Sequence, residues 1–165
     1  MAAAWPIKDA LVQLAPELTH DFQTNISYLI MDMQSLYADF HDVVREAPIN
    51  TLLFADRFPF RYFVEDFGLN YYAAFSGCSA ETEASFATII FLTNKVNELG
   101  LNTIMITESS DGSIARTIIE NSQARNQQIL VLDSVQSITA ADVAAGVTYL
   151  GIMRENLNIL RQALQ

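Results

Sequence analysis

Four short, nearly unbroken apolar runs separated by helical patterns constrain this chain most. They are TLLFA (51–55), YYAAF (71–75), TIMIT (103–107) and QILVL (128–132). Continuous apolarity, in place of strict alternation, is expected of parallel strands covered on both faces. Between the runs, apolar residues recur at helical spacing over Pro59 to Asp66, Ala80 to Leu99 and Gly112 to Ser122, and a last helix is predicted from Ala140 to Leu164. Gly68 and Gly100 stand where helix-ending glycines belong. The alternation predicts an α/β fold: a four-stranded parallel open sheet flanked by helices.

A long amphipathic helix is predicted ahead of the sheet. Leu18, Phe22, Leu29, Met33, Leu36, Phe40 and Val43 mark its inner stripe between Glu17 and Ala47, after a shorter helix from Ile7 to Leu14. Some thirty helical residues extend about 45 Å, longer than a small domain is wide, so this helix is expected to brace something beyond its own domain. The domain reading is helices over 1–49 and an α/β lobe over 50–165, one structural domain overall. A chain of 165 residues is too short for two ordinary domains.

Charge narrows the partners. Asp and Glu number 19 against 9 Lys and Arg, a net charge of -10. Phosphate backbones and anionic membrane surfaces are repelled, which argues against nucleic acid, and a cation is the natural small partner. One cysteine forms no internal disulfide. The N-terminal MAAAWPIKDAL has neither the basic region nor the apolar core of a secretory signal. Neither G-x-G-x-x-G nor a P-loop occurs, so a phosphate-cradling nucleotide site is not expected.

In an open parallel sheet, ligands sit beyond the carboxyl ends of the strands. Here those exits read Asp56-Arg57, Ser76-Gly77-Cys78-Ser79, Glu108-Ser109-Ser110-Asp111-Gly112 and Asp133-Ser134. Cys78, with Glu81 and Glu83 close behind, has three readings: a thiolate metal ligand, a nucleophile activated at a helix start, or a small residue in a turn. Asp111 has two: a carboxylate ligand, or the cap of the helix that follows. Glu108 is expected to pair with Arg57 or Arg61, and Asp56 to be a structural acceptor in the crevice. His20 and His41 both fall on the long helix, about 32 Å apart if it is straight, so they cannot share one ion and are expected on a solvated face.

The ordered set of segments resembles the C-terminal lobe, with the long backbone helix, of the zinc/manganese-type solute-binding proteins of metal-ion ABC transporters. The segments are LLFADRFPFRYFVEDFGL, SGCSAETEASFATIIFLTNKVNELGLNTI, ITESSDGSIARTIIENS, LVLDSVQ and YLGIMRENLNILRQAL. The resemblance implies binding and delivery of a divalent ion to an ABC permease, with no catalysis and no intrinsic cofactor, at the extracellular or periplasmic face. It implies two ligands from each of two lobes. The amino-terminal lobe is absent from this reading, and Ala3 sits about where that lobe's second histidine would stand. It carries an acid of the third-strand exit onto Asp111. At the second-strand exit no histidine occurs; Cys78 is the nearest soft donor and Glu81 the nearest hard one.

The run of aromatics from Phe54 to Phe75 is expected to be mostly core. The remainder would cover the face where a second lobe docks, and exposure of that face would favour a homodimer. Two other classes stay open: a small doubly wound enzyme with Cys78 as nucleophile, for which no histidine near the strand exits offers a base, and a non-catalytic interaction module.

Overall fold

The computed structural model describes residues 3–75 and 84–165. Two compact units divide the chain, Met1–Phe40 and His41–Gln165. In the first, α1 (Ala4–Leu14) is followed by a 3₁₀ turn (Pro16–Leu18) opened by its proline. Helix α2 (Thr19–Glu46) starts where Thr19 Oγ1 donates to Pro16 O at 2.6 Å, and its last residues belong to the second unit. Arg45 sits in its final turn, where a cation complements the helix dipole.

The second unit contains β1 (Thr51–Arg57), α3 (Arg61–Phe67), β2 (Asn70–Phe75), α4 (Phe86–Leu99), β3 (Thr103–Ile106), α5 (Ser113–Asn121), β4 (Gln128–Val131), α6 (Ala140–Ala144) and α7 (Tyr149–Ala163). All strand pairs are parallel and the order is β2-β1-β3-β4. This is the α/β architecture the apolar runs predict.

Side chains alternate along the central strands β1 and β3, and both sets are buried. Leu53, Ala55, Ile104 and Ile106 form one core cluster with Leu92 and Val96 of α4 and Ala115 and Ile118 of α5. Leu52, Phe54 and Met105, which alternate with them, are buried as well. Helix α7 packs on β3 and β4, where Thr103 Oγ1 donates to Ala163 O at 3.3 Å. Burial on both faces is why the strand runs show no polar alternation.

Gly68 and Gly100 end α3 and α4 in the left-handed region, at φ 69° and 61°. In each case the next residue closes a six-residue ring: Leu69 N donates to Val64 O and Leu101 N to Val96 O. Both leucines are buried, which adds the apolar contact that accompanies this type of helix end.

Three local expectations are corrected. The last helix is two helices. Thr139 and Asp142 form a capping box at the start of α6, Val147 N turns back to Asp142 O, and Thr148 Oγ1 accepts from Gly151 N to open α7. Two caps so close together break any continuous helix. Helix α4 starts at Phe86, later than Ala80, because Ser85 is its cap and accepts from Thr88 N at 3.1 Å. His41 is half-buried, and its ring meets Phe67 edge-on with centroids 4.8 Å apart, so it does not lie on a solvated face. Among the described residues no helix is long and apolar enough to cross a membrane.

Candidate functional site

Connections leave β1 and β3 toward opposite edges of the sheet, so the crevice beyond their carboxyl ends is the switch point of this topology. β1 and β3 register at Phe54 and Met105. Past that pair Asp56 links the strands through its side chain: Oδ1 accepts from Arg57 N at 2.7 Å, and Oδ2 accepts from Thr107 N at 3.1 Å and from the Thr107 hydroxyl. Thr107 is buried, so this carboxylate satisfies groups that would otherwise lack partners. The expected structural role of Asp56 is realised.

A pocket of about 280 Å³ opens beside this link, lined in part by Asp56, Arg57, Ser109, Ser110, Asp111 and Ser113. Asp111 Oδ1 accepts from Ser113 N at 2.8 Å, in the turn just ahead of α5, but the N-cap position itself is Gly112, so the expected capping role falls to a residue without a side chain. Hydrogen bonds from the Ser113 backbone and hydroxyl, with the Arg116 charge nearby, hold the Asp111 carboxyl below the usual aspartate range. The Asp111 side chain is exposed.

Glu108 pairs with neither Arg57 nor Arg61. Its oxygens accept from Ser134 N at 2.8 Å, Ser134 Oγ at 2.7 Å and Ser137 Oγ at 2.9 Å. Arg61 is taken by Glu65, one helical turn away at 2.8 Å. Partial burial pushes the Glu108 carboxyl up, but the Ser134 and Ser137 donors outweigh it and hold the group below the ordinary range. Glu108 therefore fastens the β3 exit to the β4 exit.

That second loop is held from another side as well. Asn156, buried in α7, accepts from Asp133 N and donates to Asp133 O. Asp133 Oδ1 in turn accepts from Val135 N at 2.7 Å, and Val135 is held at φ 62°, a region that β-branched residues rarely enter. Asp133 also lines a cavity of about 250 Å³ with Phe60, Phe63, Tyr149 and Met153 among its walls.

Of the predicted ligands, Asp111 lies at the switch-point pocket, while Cys78 and Glu81 lie outside the described residues. Among the described residues no three of His, Cys, Asp and Glu gather to hold a metal ion. The roles of four participants, Arg57, Ser134, Ser137 and Asn156, are not foreseen from the sequence. Arg57 reads as part of a strand exit and as a partner for Glu108. Ser134 and Ser137 carry no motif, and Asn156 reads as one polar residue on an amphipathic helix.

Residues 1–163 match the family model described as zinc-uptake complex component A, periplasmic. The zinc-binding lipoprotein AdcA of Streptococcus pneumoniae is 28% identical over 156 residues, which is 94% of this chain and 30% of that protein. The crystal structure of the Zn(II)-bound ZnuA-like domain of the same organism's AdcA superposes with a TM-score of 0.72 at 28% identity, covering 96% of this chain and 57% of that one. The metal-dependent lipoprotein YcdH of Bacillus subtilis shares the fold, with a TM-score of 0.79 at 21% identity over 96% of this chain and 58% of that one. The chain thus spans about 30% of the AdcA sequence and somewhat over half of the solved relatives.

Proposed function

Because the chain belongs to the zinc-uptake complex component A family, we propose that its α/β unit is a metal-binding lobe of an ABC-importer solute-binding protein. The cargo is a divalent ion, zinc in the first place and manganese as the second candidate, captured outside the cytoplasm and passed to a membrane permease. A second lobe supplies the remaining ligands, and no covalent chemistry takes place.

The match over residues 1–163 carries this reading. The pocket at the switch point supports it, since the exposed Asp111 carboxylate lines it. Carboxylate oxygen and thiolate sulfur are both competent zinc donors, so Cys78 and Glu81 complete the proposed half-sphere from the second-strand exit. Asp133 uses one oxygen on Val135 N and offers similar chemistry one strand further along.

Calorimetric zinc titration of the full chain is the test, run beside Asp111→Asn, Cys78→Ser and Asp133→Asn. Zinc binding that weakens in the Asp111 and Cys78 variants supports the proposed ligands. Loss confined to Asp133→Asn moves the ion to the β4 exit. No zinc binding at any concentration up to the millimolar range overturns the reading for this chain.

A further inference from the structure

The switch-point pocket holds a permanent positive charge as well as acids. Arg57 ends β1 and lines the pocket, and among the described residues it has no carboxylate partner. The acids beside it are engaged elsewhere. Asp56 places both oxygens on Arg57 N and Thr107, and Asp111 places one on Ser113 N. Ser110 Oγ accepts from Gly112 N at 3.2 Å, which leaves its own hydrogen for another acceptor. Ser109 Oγ lies 3.4 Å from Thr107 Oγ1, a long contact that is easily exchanged for a better one. Arg116 Nη1 packs over Gly112, 3.2 Å from where a Cβ would stand.

A fork of guanidinium donors with two hydroxyls nearby is the chemistry that grips a carboxylate, often through two parallel hydrogen bonds. A bare divalent ion in the same pocket would meet the Arg57 charge as well as the carboxylates of Asp56 and Asp111. We propose that the Arg57 pocket binds a small di- or tricarboxylate, either free or as the anionic shell of a chelated divalent ion. The anion's carboxylate sits on Arg57 and the hydroxyls of Ser109 and Ser110. In the chelated case, which rests on the metal reading above, the ion lies toward the Asp111 carboxylate and the bound anion offsets its repulsion by Arg57.

Equilibrium dialysis of the full chain against radiolabelled citrate, zinc, and the two together tests this. Citrate retention is expected, reduced about tenfold or more in Arg57→Gln. Arg57→Lys, which keeps the charge and loses the fork, is expected between the two, and it decides the matter should Arg57→Gln lose its circular dichroism signature. Zinc retained better with citrate than alone supports the chelate. Arg57-dependent citrate retention that is indifferent to zinc supports the free anion, and leaves the metal reading to stand or fall on its own titration. Two results overturn the proposal: no citrate retained with or without zinc, or citrate retained equally by Arg57→Gln. Zinc bound alone and undiminished in Arg57→Gln, with no citrate retained, would leave the metal reading in place and remove only this one.

Discussion

Asn156 holds both backbone polar groups of Asp133: its side-chain oxygen accepts from Asp133 N at 2.9 Å, and its amide donates to Asp133 O at 2.8 Å. One buried side chain thereby completes the hydrogen bonding of the residue at which β4 gives way to its exit loop.

Truncating that amide strands two part-buried backbone groups. Asn156→Ala is expected to cost about 2–4 kcal/mol, from roughly 1–3 kcal/mol for each unpaired group with some access of water. Urea unfolding checks this, and a loss below about 0.5 kcal/mol would mean that the loop finds other partners.

Glu108 makes stability depend on pH. Its carboxyl is held below the ordinary range in the folded chain, so the charged form is favoured by folding. The contribution is fully present above the unfolded value of about 4.3 and is lost as pH falls through the lower folded value. Glu108→Gln is expected to be about 1–2 kcal/mol less stable at pH 7, given charge-assisted bonds discounted for exposure. That gap should close as both proteins are acidified. A constant gap down to pH 3 would rule out the ionic origin.

Gly100 offers a clean test of backbone conformation. Nothing lies within 4 Å of a Cβ placed there, so Gly100→Ala meets no clash and pays only for φ 61°. The expected loss is about 1–2 kcal/mol in thermal or urea unfolding. An unchanged midpoint would indicate that the helix end relaxes to another geometry.

Asp111 separates its two roles by substitution. Asparagine can still accept from Ser113 N, whereas alanine cannot. Asp111→Asn is expected to leave the urea midpoint unchanged while weakening zinc binding about tenfold or more, and Asp111→Ala to lower the midpoint as well. Equal zinc affinity in wild type and Asp111→Asn leaves Asp111 as the acceptor for Ser113 alone.

The sheet was legible because its central strands are buried on both sides: Leu52 and Phe54 are as hidden as Leu53 and Ala55, so TLLFA shows no polar position after Thr51. The last helix was misread because Ala140 to Val147 has helix-forming composition. The break depends on hydroxyl caps at Thr139 and Thr148, which compete locally with propensity. At the site, Asp56 and Asp111 could be anticipated, since strand exits and helix starts announce their acids. The partners of Glu108 could not. Ser134 lies 26 residues away, and only the packing of β3 beside β4 brings its N–H and hydroxyl to the carboxylate before an arginine arrives. Asn156 and Asp133 are likewise brought together by α7 lying on the sheet.

The seam between β1 and β3 has a mechanical consequence. Where the backbone ladder stops at Phe54 and Met105, Asp56 takes over as a rivet across the joint. The width of the crevice mouth is then set by one carboxylate, so shortening or neutralising it would splay the two central strands at their tips and widen the opening while their roots stay clamped in the core.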